Sequence, residues 1–313
     1  MLRYCTTALT LAWCWGLAAA PPPKAINRTI KVPVWVDSKG GAPFAAKDLS
    51  ATLDGKQSRV LDVKGPGDDL MLIVVLDLAG DLSLAEPAKS DLASEIEKLP
   101  PRASVAILGA QDGPKVLADP GADRAPAIAA VRDLPVSGKA GLLDTVETVT
   151  RLADSILAKA SVRVAVLYVT DSDVENYRED YTNPVINSSD PHDLSRKFPE
   201  ALIQDKIAKL AAILAGRQAP VFVVHLRYRS DRLGEAYQNG LKQLAEVTGG
   251  SAIFCRSSEE IADAIHRAIG LITSYYSVTL ALPERPPRAL QVQLDAGKNW
   301  NLSYRTRFVL KER

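Results

Sequence analysis

From Met71 the chain reads Met-Leu-Ile-Val-Val-Leu-Asp77-Leu-Ala-Gly-Asp81, an apolar run with no polar break that ends in an acidic, glycine-containing turn. A strand apolar on both sides suits burial on both faces, and so a parallel sheet covered by helices. In open sheets of that kind ligands sit beyond the carboxyl ends of the strands. Asp77 stands at such an end. Two readings stay open from the residues: Asp77 caps the helix that follows, or it belongs to a metal or partner site at the sheet edge.

The rhythm after residue 70 supports the sheet. Strands are expected at 70–76, 104–108, 115–118, 162–169, 221–226 and 252–255. Helices are expected at 84–99, 125–131, 142–157, 201–214 and 241–247, with a last one starting at Ser258. Leu142, Leu143, Val146, Val149, Leu152, Ile156 and Leu157 form the stripe that marks the third helix. Gly249-Gly250 supplies a left-handed helix stop, and Glu259 and Glu260 complement the dipole of the last helix. The order β-α-β-β-α-α-β-α-β-α-β-α predicts a doubly wound, mostly parallel α/β fold over residues 68–272.

The two ends read differently. Residues 21–67 form a β segment and linker. A valine-rich strand covers 29–37, the pair Asp54-Gly55 turns a hairpin between 49–53 and 59–63, and Gly65-Pro66-Gly67 follows. Residues 273–313 carry strands at 275–282, 290–294 and 302–310. The expectation is that these ends pair with each other as a small β appendage.

Residues 1–20 have the layout of an export signal, with Arg3, an apolar core over 8–17 and the small residues Ala18-Ala19-Ala20. That core is too short to span a bilayer, and no later apolar stretch is long enough. The expectation is an exported chain, periplasmic or secreted, with no integral span once the signal is removed. Trp13 argues against lipidation of Cys14. Cys5 and Cys14 leave with the signal, so Cys255 stands alone and makes no internal disulfide. It follows Ala252-Ile253-Phe254, as a buried strand cysteine would. A formal net charge of +1 over 313 residues gives no electrostatic case for nucleic acid.

The order of elements, with Asp77 closing the first buried strand and Asp171 the fourth of the domain, resembles a von Willebrand factor type A domain of exported bacterial proteins. The segment Gly249-Gly250-Ser-Ala-Ile-Phe, the Glu259-Glu260 helix start, Ser274-Tyr275-Tyr276 and the leader residues Asp48-Leu49 and Asp54-Gly55-Lys56 carry the same resemblance. It implies a metal-ion-dependent adhesion site built from an Asp-x-Ser-x-Ser motif, a threonine before a central helix and a second aspartate. Here Asp77 and Asp171 match the aspartates. Ala79 and Asp81 stand where the serines belong, and Ala140 stands at the threonine position. The site is degenerate by that standard.

Magnesium takes six oxygens at about 2.0–2.1 Å, and alanine supplies none. A cluster of Asp77, Asp81 and Asp171, with Asp173 near, remains a candidate for Mg2+ or Ca2+, but a carboxylate-rich shell neutralises the ion and weakens its pull on a partner. Without metal, like charges repel and one carboxyl holds a proton. The plainer alternative is that Asp77 and Asp171 cap helices and turns.

Residues 174–198 form a long polar stretch leaving the same edge. Loops beyond about 12–15 residues without structure of their own are usually functional or disordered, and a solvated insertion is the plainer alternative here. Tyr177, Arg178 and Tyr181 are of the types that anchor protein contacts and are taken as partner-binding. Arg227, Arg229 and Arg232 follow the fifth strand, placed either to meet acidic groups on a partner or to pair with the carboxylates. Enzyme signatures are incomplete. His192, His225 and His266 lack ligand spacing, no Gly-x-Ser-x-Gly turn occurs, and the earlier glycine that a phosphate loop needs before Gly138-Lys139 is missing. The expectation is a non-enzymatic module for protein binding, adhesion or assembly, with weak or lost metal dependence. The alternative is a divalent-metal-dependent hydrolase or metal-binding protein using Asp77, Asp81 and Asp171.

Overall fold

The computed structural model describes residues 28–38, 44–174, 199–298 and 300–310. The expected signal at 1–20 and the expected partner residues Tyr177, Arg178 and Tyr181 lie outside the described residues. In chain order the elements are β1 (Thr29–Ser38), β2 (Ser50–Leu53), β3 (Lys56–Ser58), β4 (Val60–Lys64), β5 (Leu70–Asp77), α1 (Leu82–Glu97), β6 (Ala103–Gly109), β7 (Lys115–Gly121), α2 (Ala125–Asp133) and α3 (Leu142–Lys159). Then come β8 (Arg163–Thr170), α4 (Pro199–Leu214), β9 (Val221–His225), α5 (Arg232–Thr248), β10 (Ala252–Phe254), α6 (Ile261–Ser274), β11 (Tyr276–Ala281), β12 (Ala289–Asp295), β13 (Trp300–Tyr304) and β14 (Arg307–Val309).

A six-stranded sheet in the order β10-β9-β8-β5-β6-β7 forms the centre. All its pairs are parallel except β6 with β7. β5 lies between β8 and β6, which explains its unbroken apolar run. Leu72, Val74 and Leu76 pack with α1, α2 and α6 on one face. Ile73 and Val75 pack with α3, α4 and α5 on the other. The period of two along a strand makes this division, and it continues into the residues beyond the strand end.

The two chain ends meet as expected. β1 pairs with β11 and β13, and β2 pairs with β12, all antiparallel. They form two four-stranded sheets, β13-β1-β11-β4 and β14-β12-β2-β3, which enclose a separate apolar core of Ile30, Val32, Val34, Leu53, Val278, Leu280, Val292 and Phe308. One expectation is corrected here. The strand turned back by Asp54-Gly55 is β3, not 59–63. Both turn residues have positive φ, as a tight primed turn needs. The chain then crosses to the other sheet, where β4 pairs with β11.

Long side chains tie the β appendage to the α/β body. Arg163 at the start of β8 is buried and donates to the carbonyls of Thr273, Tyr275, Pro66 and Asp68. Trp35 Nε1 donates to Leu271 O at 3.0 Å, and its ring meets those of Phe222 and Tyr275. Arg305 donates to the carbonyls of Arg217 and Ala215 beyond α4, while lying over the Phe308 ring. Lys31 Nζ donates to Leu157 O and Ala160 O, capping the end of α3.

Two further expectations are refined and a third holds. Leu152 is 43% exposed and off the buried stripe, because ten residues after Leu142 it sits roughly 80° away around the helix. Residues 258–260 make a 3-10 turn before α6 begins at Ile261. Gly249 ends α5 in the left-handed conformation, φ 91°, as its sequence position suggests.

Candidate functional site at the carboxyl rim of the sheet

Asp77 and Asp171 reach the same rim. Asp77 lies opposite Thr170 in the β5–β8 register, and Asp171 N–H donates to Asp77 O at 3.3 Å. Their carboxylates go to different places. By the alternation of β5, Asp77 falls on the side of Ile73 and Val75, toward α3. Its Oδ1 accepts from Gly141 N–H at 2.8 Å and its Oδ2 from Leu142 N–H at 3.1 Å. It therefore caps the start of α3, not that of the helix next in sequence, where the simple reading placed it. Gly141 allows this contact: a Cβ there would stand 1.8 Å from Ala110 O.

On β8 the same parity sends Asp171 the other way, toward α1. Its Oδ1 accepts from Ala79 N–H at 2.7 Å, and its Oδ2 from Gly80 N–H at 3.0 Å and Asp81 N–H at 2.8 Å. Asp81 caps α1 itself, with Oδ1 accepting from Ser83 N–H and the Ser83 hydroxyl. Those hydrogen bonds, and in smaller part the charge of Arg227, hold its carboxyl below the usual range.

Thr170 and Ser172, on either side of Asp171, face Asp77. The Ser172 hydroxyl donates to Asp77 Oδ2 at 2.8 Å, and Thr170 Oγ1 lies 3.2 Å from the same atom and 2.6 Å from Ser172 Oγ. Tyr237 from α5 brings its hydroxyl to 3.4 Å from Ser172 Oγ. His225 Nε2 donates to Ser172 O at 2.8 Å while its Nδ1 accepts from Arg227 N–H. Burial raises the Asp77 pKa, against the pull of its donors, and lowers that of His225, keeping the ring neutral. The sequence reading does not single out Thr170, Ser172 and His225 as site residues. The signal present in the sequence is the pair of hydroxyls at alternate positions around Asp171.

The metal implied by the resemblance can be tested against this donor set. Each Asp77 oxygen receives an N–H, and Oδ2 also a hydroxyl. Three N–H groups hold Asp171, and Asp81 turns to its own helix. Ala140 is buried and offers no oxygen. Among the described residues no group of three His, Cys, Asp or Glu side chains could hold a metal ion. The donor set as arranged does not fit a divalent cation.

The basic stretch after β9 is divided. Arg229 donates to Asp173 at 2.7 Å and to Asp231 at 2.8 Å. Arg232 meets Glu200 at 2.9 Å. Arg227 is exposed and lies toward Asp81 without a salt bridge among the described residues. Cys255 is buried as expected, its thiol pushed up to about 11 by burial. No described helix is long and apolar enough to cross a membrane.

Neither a family model nor a curated protein sequence matches the chain. Solved structures similar to it include a von Willebrand factor type A protein from Catenulispora acidiphila, at 13% identity and TM-score 0.42, covering 92% of this chain and 76% of that one. The von Willebrand factor domain of a type V pilus tip protein from Porphyromonas gingivalis aligns at 14% identity and TM-score 0.43, over 66% of this chain and 95% of that one. The minor pilin PilB of Streptococcus sanguinis aligns at 10% identity and TM-score 0.47, over 66% and 62%. Each is a distant likeness, at 10–14% identity and a TM-score below 0.5. The chain's own geometry is a six-stranded, mostly parallel sheet with helices on both faces and two aspartates at one rim.

Proposed function

We propose that the chain is a non-catalytic protein-interaction or assembly module that works outside the cytoplasm, in the cell envelope or secreted, and recognises its partner at the carboxyl rim of the central sheet with little or no need of divalent metal. The observation that carries this reading is the closed bonding of Asp77 and Asp171, whose carboxylates are occupied by the protein's own donors. The export reading rests on residues 1–20. Tyr177, Arg178 and Tyr181, which follow Val174 in the chain, supply partner contacts in this proposal.

The groups that would serve catalysis are committed elsewhere. Ser172 is buried and donates to Asp77, His225 is buried with both nitrogens in hydrogen bonds, and Cys255 is buried with a raised pKa. A screen with phosphoester substrates is expected to give no turnover. Thermal unfolding in millimolar Mg2+, Ca2+ or chelator is expected to agree within about 1 °C, since an ion that binds only the folded state raises stability with its concentration. A rise of several degrees with either ion would end the metal-independent reading.

A further inference from the structure

The rim carries a second set of groups that the capped aspartates do not use. Arg227 and Tyr228 follow β9, and Arg256 follows β10. Tyr228 N–H donates to Cys255 O at 2.7 Å, which fixes the two segments side by side. The Arg256 guanidinium lies 5.9 Å from the Tyr228 ring centroid, within cation–π reach. Tyr228 is 42% exposed, and Leu82, next in the chain to Asp81, is 63% exposed.

The distribution of partners sets these arginines apart. Arg229 and Arg232 are tied to carboxylates of the chain. The guanidinium groups of Arg227 and Arg256 make no salt bridge among the described residues, although the Arg227 charge acts on Asp81. Asp81 Oδ1 takes both Ser83 donors, and Glu260 Oε2 accepts from Arg256 N–H. Two exposed guanidinium forks at the segment that carries an exposed aromatic ring suit bidentate capture of carboxylates, with the ring as an apolar anchor.

We infer that Arg227, Tyr228 and Arg256 form a docking surface for an acidic segment of a partner protein, which they hold through its Asp or Glu carboxylates without a metal ion. The inference rests on the interaction-module reading above and names the partner chemistry for that rim. A net charge of +1 over the whole chain favours a peptide carboxylate over nucleic acid, which needs a broader basic field.

The test is fluorescence anisotropy of labelled hexaglutamate titrated with the full chain, alongside hexaglutamine and an oligothymidylate. Hexaglutamate is expected to bind, hexaglutamine not, with affinity falling as salt rises and unchanged by chelator. The double variant Arg227→Ala/Arg256→Ala is expected to weaken binding ~10-fold or more, and Arg227→Lys/Arg256→Lys to weaken it by less. Both side chains are exposed, so a circular dichroism melt should show the variants folded. Equal binding by the alanine variant, a requirement for divalent metal, or tighter binding of the oligothymidylate each overturns the inference. If hexaglutamate does not bind but envelope-extract partners are retained equally by wild type and the alanine variant, the carboxylate surface falls while the interaction module stands. Loss of both removes both.

Discussion

The Ser172 hydroxyl donates to Asp77 Oδ2 at 2.8 Å, inside a rim where both residues are fully buried. A carboxylate taken from water needs such donors, and Asp77 has four of them across α3 and β8. Ser172→Ala removes one and leaves the others. The expected cost is about 1–3 kcal/mol of folding stability, read as a lowered melting temperature. Unchanged stability would show that the hydroxyl is dispensable to the buried carboxylate.

Two buried groups impose opposite pH slopes. His225 has its pKa lowered from 6.5 by burial, so the unfolded chain binds the extra proton first. Its contribution is present above pH 6.5 and is lost as pH falls through the folded value. Asp77 has its pKa raised from 3.8 by burial, so its contribution is present below pH 3.8 and is lost as pH rises through the folded value. Urea unfolding of wild type and His225→Gln between about pH 7.5 and about pH 5, either side of an ordinary histidine's pKa of about 6.5, should show the wild type losing more stability toward acid. Parallel curves would contradict a neutral buried His225.

Gly141 admits no side chain. An added Cβ would meet Ala110 O at 1.8 Å, which only backbone movement relieves. Because Gly141 N–H is also a donor to Asp77, that movement opens the cap. Gly141→Ala is expected to cost about 2 kcal/mol or more, measured by chemical denaturation. A nearby exposed position, Ser137→Ala, serves as a control and should change stability little.

Arg163 joins the linker before β5 to the end of α6 through four backbone carbonyls. Arg163→Met fills much of the same volume but strands those acceptors. The expected loss is about 3 kcal/mol or more, since buried acceptors lose their partner together. Hydrogen exchange should show faster opening of β4 and β11 than of β5, because the junction is weakened before the central sheet. Equal exchange in both regions would argue that the appendage and the sheet open as one unit.

The α/β pattern, the buried character of β5, the left-handed stop at Gly249 and the two β-forming ends could all be read from the sequence. Each depends on local rules: unbroken apolar runs, helical stripes, glycine and turn pairs. The aspartates at the strand ends were legible as well. Their purpose was not, because it depends on which strand lies beside which and in what register. With Asp77 set opposite Thr170, alternation sends Asp77 to α3 and Asp171 to α1, and brings Thr170 and Ser172 to Asp77. The division of the arginines is tertiary for the same reason, since Asp173, Glu200 and Arg256 reach that rim from separate parts of the chain. The amino-acid order determined the elements and where carboxylates emerge from them; only the folded sheet decided which donors meet those carboxylates, because hydrogen bonds are satisfied across strands and not along them.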